Sequence, residues 1–459
     1  MTPRGTAATG AEVVDRALAA SRADGCVVLV TETSRLDLRW AGGTLTTNGA
    51  HRGRSVTVVS VSGESVGVRG ASSYDDLEGL VRESERAAAE SSPAEDAGPL
   101  VAGPADDAFA APADVATPDV LAGFARSLGE RFSAARGDGL RLYGYATHEV
   151  ATTWLGSSTG LRLRHSEPTG YVEMTGKDGR PGGSSWVGQS TRDWSDVDVG
   201  ALDAELRRRL AWGARAVELP PGRYETLLPP SAVSDLMVSA YWRMSGRHAA
   251  EGRSVFSRPG GGTRVGERLG PPGLRMWSDP HHSPLGVTPF VTTAASSSLT
   301  SVFDNGLALP ATDWVADGVL SALLETRATA RERGVPVTPY VHNLLLDGGG
   351  TATTDEMVAR TARGLLLTCL WYIREVDPQT LLVTGLTRDG VYLVESGEVV
   401  GAVNNFRFND SPVGLLARVV EAGRTERTLP REMSDYFTWT AMPTLRVADF
   451  HMSSVSPAS

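Results

Sequence analysis

The apolar and polar positions in the first part of the chain alternate between a helical and a strand period. Residues 11–23 carry apolar positions at helical spacing, and residues 26–33 and 35–45 each predict a strand. Residues 55–70 predict a hairpin that turns at Ser62–Gly63. The pattern therefore predicts a layer in which helices pack on a sheet.

A long interruption follows, and then a second group of elements. Residues 91–118 are rich in Pro, Ala and Asp, which predicts an extended surface loop. The elements expected around it are a helix over residues 77–92 capped by Asp75 or Asp76, a helix over about 118–136, strands between 141 and 176, and a helix over 196–217.

The second half of the chain has a different pattern. Four prolines surround a short predicted strand in residues 220–230, where we place a domain boundary. Residues 231–248 then predict a helix. Beyond about residue 285, short apolar runs are split by Gly, Asp and Asn, and turns at 388–390 and 396–397 indicate antiparallel hairpins.

Together these patterns predict an α+β fold of two domains. Residues 1–219 are expected to form an N-terminal α/β domain that carries the loop at 91–118. Residues 220–459 are expected to form a β-rich C-terminal domain with antiparallel sheets and a few helices. A chain of 459 residues is long enough for two such cores.

Composition and charge narrow the class of function. Hydrophobic residues make up 41% of the chain, which is ordinary for a globular protein. The formal net charge of −10 argues against binding along a nucleic-acid backbone, which needs clustered Lys and Arg. Cationic peptides stay compatible with this charge as ligands.

The cysteines and the apolar runs bear on the compartment. Cys26 and Cys369 lie in apolar runs without a CxxC pair, so we expect buried thiols and neither a disulfide framework nor a cysteine-rich zinc site. The N-terminus shows no secretory signal, and no apolar run approaches the roughly 18 residues of a membrane helix. We therefore expect a cytoplasmic protein that does not bind membranes.

The order of several segments resembles the TldD/PmbA family over nearly the whole chain. In the first half the matching segments are GVRGASSYDDLEGLVRESERAAAES, WLGSSTGL and ARAVELPPGRYETLLPPSAVSDLM. In the second half they are SVFDNGLAL, TDEMVARTARGLLLT and VTGLTRDGVYLVESGEVVGAVNNFRF.

This resemblance implies a heterodimeric cytoplasmic zinc peptidase of bacteria and archaea, which cuts unfolded or extended peptides, including leader peptides of modified natural products. In that family the TldD-like subunit carries zinc on an H-E-x-x-x-H helix, with a cysteine from the C-terminal region as the third protein ligand. The TldE-like subunit lacks this site and closes the substrate chamber. Extended peptides typically bind such enzymes as an added strand at a sheet edge.

The family's zinc motif falls on residues 243–248 when its following Glu-Gly is matched to Glu251 and Gly252. His248 stands at the second His position. Arg243 replaces the first His and Met244 replaces the Glu. Arginine stays protonated and offers no lone pair to a metal, and methionine cannot act as a general base.

The third ligand is also missing, because no cysteine follows Cys369. A hydrolytic zinc needs about three protein ligands and one open position. We therefore expect no catalytic residues and no metal in this chain, and we expect the zinc in a TldD-like partner. Arg243 could instead reach a substrate carboxylate or an acidic group of the partner, although a salt bridge within the chain is the commoner outcome.

Other histidines are weaker candidates for a site. His281 and His282 are adjacent, so on a strand they would point to opposite faces, and no spacing rule joins them to His248. They stay candidates for contact with substrate or partner. The pair His148–Glu149 reads as part of a strand, and His342 lies in an apolar stretch that is typical of a core or edge histidine.

Three hypotheses follow. The first is a TldE/PmbA-like, non-catalytic subunit that binds a TldD-like zinc subunit and shapes a chamber for an extended peptide. The second is an active hydrolase that uses an unrecognised site around His248, Glu251, His281 and His282. The third is a homodimeric peptide-binding scaffold, and the isolated chain could also form a homodimer through the surface that otherwise meets the partner.

Overall fold

The structure is a computed structural model that describes residues 8–180 and 182–456. Its first sheet contains six strands in the order β3-β2-β1-β4-β5-β6, and all neighbouring strands are antiparallel. The strands are β1 (Gly25–Ala41), β2 (Thr44–Ser62), β3 (Ser65–Ala71), β4 (Arg141–Ser157), β5 (Arg162–Lys177) and β6 (Ser184–Thr191).

Four helices cover one face of this sheet. They are α1 (Gly10–Ala20), α2 (Leu77–Glu90), α3 (Asp119–Gly137) and α4 (Val199–Trp212). Of the two caps predicted from the sequence, Asp75 or Asp76, it is Asp76 that caps α2, by accepting the N–H of Gly79. Residues 91–118 contain no helix or strand, which confirms the predicted loop.

The two faces of the sheet pack against different parts of the chain, because successive side chains of a strand point to opposite faces. On β1, Val28 and Val30 face α1 and α2. Val27 and Leu29 face the opposite way and pack with Phe303 of the C-terminal half. One face of the first sheet is therefore closed by its own helices, and the other meets the rest of the chain.

The prediction of separate strands at 26–33 and 35–45 is wrong. Residues 25–41 form the single strand β1, because its alternation continues past Ser34 and it pairs on both sides, with β2 and β4. The turn lies instead at Gly42 and Gly43, whose φ angles of 60° and 77° suit glycine. The hairpin predicted at Ser62–Gly63 is confirmed.

The second sheet is built from the remaining strands and is mixed. They are β7 (Ala216–Val217), β8 (Gly222–Leu228), β9 (Arg275–Ser278), β10 (Thr312–Ala316), β11 (Val319–Leu320), β12 (Asn343–Asp347), β13 (Arg363–Leu367), β14 (Trp371–Asp377), β15 (Leu382–Leu386), β16 (Val391–Glu395), β17 (Glu398–Val403), β18 (Phe406–Asp410), β19 (Val419–Thr428) and β20 (Trp439–Val455). Most pairs are antiparallel, whereas β12 with β20, β13 with β8 and β17 with β7 are parallel.

Short helices lie among these strands. They are α5 (Pro230–Tyr241), α6 (Gly246–Ala250), α7 (Arg327–Arg333), α8 (Thr354–Ala359) and α9 (Pro412–Leu416). The predicted α+β class is confirmed. The boundary at 219/220 stays a prediction, and β7, which precedes it, already belongs to the second sheet.

The two turns predicted as hairpins behave differently. Residues 396–397 join β16 to β17, which pair as antiparallel neighbours, so this hairpin is confirmed. Residues 388–390 lead from β15 to β16, and these two strands are not paired with each other. Instead β15 pairs with β14 and β18, whereas β16 pairs with β13 and β17. The N–H of Thr368, directly after β13, donates to the carbonyl of Gly390 and continues the pairing of β13 with β16. No helix in the described parts of the chain is long and apolar enough to cross a membrane.

Candidate functional site

The segment that corresponds to the zinc motif is not a continuous helix. Helix α5 ends at Tyr241, and α6 begins only at Gly246, so the prediction of one helix over residues 231–248 is wrong. The chain leaves the helix because Met244 and Gly246 bond to Leu324. The carbonyl of Met244 accepts the Leu324 N–H at 2.8 Å, and the Gly246 N–H donates to the Leu324 carbonyl at 3.0 Å.

Close packing also holds this break in place. A Cβ added at Gly246 would lie 1.7 Å from Oε1 of Glu325, so a larger residue does not fit. Glu325 is 3% exposed and pairs with Arg333. Burial raises the pKa of Glu325, and the guanidinium of Arg333 opposes this rise.

The two replaced motif positions have structural roles in this chain. Arg243 forms a salt bridge with Glu375 on β14, which is the commoner of the two outcomes considered from the sequence. Met244 is fully buried in the main hydrophobic core of the C-terminal half. A group at position 244 therefore lies away from any substrate.

The other predicted site residues fall into two separate places. His248 is half-buried at α6, where burial and the nearby Arg253 lower its pKa. Glu251 pairs with Arg247 and Arg253 at the surface. Arg243, His248 and Glu251 thus share one charged neighbourhood.

His281 and His282 lie elsewhere, in the turn after β9. The carboxylate of Asp279 accepts the His281 N–H at 2.9 Å, and the ring of His282 packs edge-on against Trp277. Within residues 8–180 and 182–456, no group of three or more His, Cys, Asp or Glu side chains is placed to hold a metal ion. Because position 243 offers no lone pair and position 244 is in the core, these residues do not fit the family's zinc.

A cavity of about 330 Å³ lies between the first sheet and the C-terminal half. Glu167 and Thr169 of β5 form one wall. The opposite wall is formed by aromatic and polar side chains, namely Tyr340, His342, Asp435, Tyr436, Phe437 and Trp439. Tyr436 is 75% exposed, an unusual exposure for a large aromatic side chain.

His342 is the titratable base of this cavity. Its ring is exposed to the cavity, while Tyr340 and Phe437 pack against it with ring centroids at 4.8 and 6.4 Å. The protein that surrounds the ring lowers its pKa, and the carboxylate of Glu167 opposes that shift. The lowered pKa favours the neutral ring, which can donate or accept a hydrogen bond.

Residues 435–439 form the floor of the cavity, and we call them, together with residues 431–434 that lead into them, the floor segment. The fully buried carboxylate of Asp235, on α5, accepts the backbone N–H groups of Arg431, Glu432 and Met433 at 2.9–3.2 Å. Burial raises the pKa of Asp235, and the three N–H donors oppose the rise.

Residues of the first sheet also form hydrogen bonds with the floor segment, from the side opposite to Asp235. Ser434 donates a hydrogen bond to Glu173, and Tyr171 donates one to Asp435 at 3.0 Å. Glu173 and Tyr171 lie on β5, so the floor segment joins the two halves of the chain.

A second polar cavity of about 380 Å³ opens beside the first and shares Asp435 with it. On its sheet wall, Arg35 donates to Asp37 and Tyr145, and Tyr145 donates to the same carboxylate. Burial raises the pKa of Asp37, but these hydrogen bonds outweigh it and hold the pKa below its usual range. The polar face of the sheet thus continues the cavity wall.

The degenerate motif adjoins the cavity of about 330 Å³ through the preceding residue, Trp242, which contacts both Tyr340 and Phe437 of the lining. The indole N–H of Trp242, next to Arg243, donates to the hydroxyl of Tyr340 at 2.9 Å, and Tyr340 lines the cavity. Sequence reasoning missed His342 and Glu167 as members of a site. The sequence feature that could have indicated this site is the aromatic group Tyr436, Phe437 and Trp439.

Replacing Asp235 tests the attachment of the floor segment. Asp235→Ala leaves three buried N–H groups without an acceptor, so we expect the free energy of unfolding to fall by roughly 3–5 kcal/mol. Asp235→Asn keeps one oxygen as an acceptor and should cost less. Urea denaturation of both variants measures this, and an Ala variant as stable as the native chain would contradict it.

Restoring the motif residues tests whether the break excludes zinc. We expect the double variant Arg243→His, Met244→Glu to bind no stoichiometric zinc and to lose about 3 kcal/mol or more, because the new carboxylate is buried among apolar side chains. Arg243→His alone, at an exposed position, is the matched control. Elemental analysis that finds about one zinc per chain in the double variant would refute the geometric argument.

The protonation of His342 gives a third test. We expect its pKa, followed by NMR of the ring protons, to lie below the usual value of about 6.5. Because Glu167 raises this pKa, Glu167→Gln should move it further down. Glu173→Gln, which removes a carboxylate from the same strand, is the control. An unchanged or higher His342 pKa in Glu167→Gln would show that the two groups do not interact.

Comparison with known proteins places this arrangement in a family. A sequence profile of the PmbA/TldA metallopeptidase C-terminal domain matches residues 221–454. A search of curated proteins finds no match.

Solved structures with the same fold cover nearly the whole chain. TldE from Thermococcus kodakarensis matches with a TM-score of 0.78 at 15% identity, over 96% of this chain and 98% of that chain. A candidate modulator of a DNA gyrase from Thermotoga maritima matches with a TM-score of 0.77 at 18% identity, over 96% and 99%. A similarly described protein from Bacteroides thetaiotaomicron matches with a TM-score of 0.76 at 15% identity, over 96% and 97%. These likenesses confirm the fold, and since the profile spans more than half of the 459 residues, the chain belongs to the PmbA/TldD metallopeptidase family.

Proposed function

We propose that this chain is the TldE-like, non-catalytic subunit of a heterodimeric zinc metallopeptidase. It acts in the cytoplasm, binds a TldD-like subunit that supplies the zinc, and forms part of the chamber that holds an extended peptide. The observation that carries the proposal is that the two replaced residues of the zinc motif have structural roles: Arg243 pairs with Glu375, and Met244 is buried in the core.

The cavity beside the motif supports a role in holding peptide. It combines aromatic side chains with carboxylates, and of these Asp435 is exposed to the cavity. The carboxylate of Asp304 already has partners within the chain, because it accepts hydrogen bonds from the backbone N–H and the guanidinium of Arg327. Glu167 accepts from Thr288, and no Lys or Arg side chain lines the cavity. Such a surface favours peptide segments with apolar or basic side chains.

The two alternative hypotheses differ from the proposal in what they require of the protein. A homodimeric scaffold needs no zinc-bearing relative, whereas the proposed subunit needs one for activity. An active hydrolase centred on His248, Glu251, His281 and His282 needs those residues to converge, and the structure places them in two separate neighbourhoods.

Zinc content and peptidase activity test the proposal together. We expect no stoichiometric zinc and no activity in the purified chain, and about one zinc per heterodimer with activity after co-expression with a TldD-like protein. Zinc and peptidase activity in the lone chain would refute the proposal. Failure to co-purify with any TldD-like protein would favour the scaffold.

A variant in the cavity then tests the chamber. Tyr436→Ala removes the exposed aromatic side chain, so we expect kcat/KM of the heterodimer for an extended peptide to fall about tenfold, with unchanged zinc content. Val420→Ala removes an apolar side chain of comparable exposure (59%) on β19, outside the cavity, and should have no effect. Equal activity of the two variants would show that this cavity does not contact the peptide.

A further inference from the structure

A different cavity, of about 230 Å³, lies at another point between the two halves of the chain. Its walls come from the edges of β4, β5 and α4 on one side and from residues 388–405 on the other. Five cationic side chains line it, namely Arg141, Lys177, Arg180, Arg209 and Arg388. Asp389 is the one carboxylate in the lining.

Two of these cations are used within the chain. Arg180 pairs with Asp178 and donates to the carbonyl of Leu210 at 2.7 Å, where it caps the C-terminal end of α4. Arg209 pairs with Glu205. Their charges are therefore largely neutralised where they lie.

The other three cations are not neutralised in this way. No carboxylate in the described residues lies within 4.0 Å of the side-chain nitrogens of Arg141, Lys177 or Arg388. Lys177 lies over the ring of Tyr143, and Arg388 lies over Trp371 at 5.6 Å. Three cations without a carboxylate partner therefore line one cavity of about 230 Å³.

This concentration runs against the charge of the whole chain, which is −10. Like charges that face one cavity repel one another, and an anion in the cavity removes that cost. A buried hydroxyl at the cavity also lacks a hydrogen-bond partner. Oγ of Ser184 is buried beside the cavity and has no hydrogen-bond partner in the described residues.

We propose that this cavity binds a small phosphate-bearing anion, held by Arg141, Lys177 and Arg388 with a hydrogen bond from the hydroxyl of Ser184. Arginine presents a planar fork of N–H donors that matches phosphate oxygens, and lysine adds a point charge. Gly179 and Gly182 beside the cavity have φ angles of 83° and 71°, so no side chain there blocks the approach of the anion.

The small size of the site, about 230 Å³, favours a small anion over a polymer. A nucleic-acid backbone needs an open basic surface along which several phosphates can lie. Here the cations face one volume between two parts of the fold. Free phosphate and the phosphate of a small metabolite share the same chemistry, and the test separates them.

Calorimetric titration of the full chain at constant ionic strength tests the site with inorganic phosphate, pyrophosphate and ribose 5-phosphate, and with acetate as the control anion. We expect at least one phosphate probe to bind with one site per chain and acetate not to bind. Tighter binding of ribose 5-phosphate than of inorganic phosphate would assign a phosphorylated metabolite, and the reverse would assign free phosphate. No binding of any phosphate probe would overturn the proposal.

Variants locate the site. Arg141→Gln, Arg388→Gln should weaken binding at least tenfold, whereas Arg126→Gln, an exposed arginine of α3 outside the cavity, should bind as the native chain does. If the double glutamine variant fails to fold, Arg388→Lys keeps the charge and should still weaken binding through loss of the planar fork. Binding that is equal in the native chain and in the folded variants would overturn the assignment. Zinc content and peptidase activity do not enter this test, so its outcome is independent of the proposed subunit role.

Discussion

The candidate site depends on the hydrogen bonds that the buried carboxylate of Asp235 accepts. The carboxylate accepts three consecutive backbone N–H groups at the start of the floor segment, where residues 431–438 form no helix or strand that could satisfy them. Once that end is fixed, Ser434 and Asp435 meet Glu173 and Tyr171 of the first sheet. One helix thus fixes the floor segment, and the floor segment is one of the contacts that join the two halves of the chain.

Local signals were sufficient for much of the fold. The cap of α2 at Asp76 and the hairpin after Ser62 depend on neighbours a few residues away, and both were predictable. The crossing at 388–390 was not, since a turn sequence says that the chain bends but not which strands it then joins. Here the partner of β16 is β13, which lies more than twenty positions earlier in the chain.

The candidate site was harder to predict for the same reason. The chemical argument against zinc needed only the identities of Arg243 and Met244, and so the sequence was enough for it. The break of the helix there needed Leu324, whose backbone pairs with Met244 and Gly246 from a distant part of the chain. His342 looked like a core residue because its neighbours in sequence are apolar, yet its own ring faces a cavity formed by other segments.

The net charge of the chain did not predict the charge of either cavity, because electrostatic interactions reach only a short distance. Charges are screened over about 8 Å at physiological ionic strength, so a site responds to the groups that line it and not to the total. The cavity at His342 has carboxylates and no cation in its lining, whereas the cavity at Arg388 has five cations and one carboxylate. A total of −10 is compatible with both. Two cavities of opposite charge between the same two halves of the chain cannot favour the same ligand, and this is why an anion site is separable from a peptide chamber.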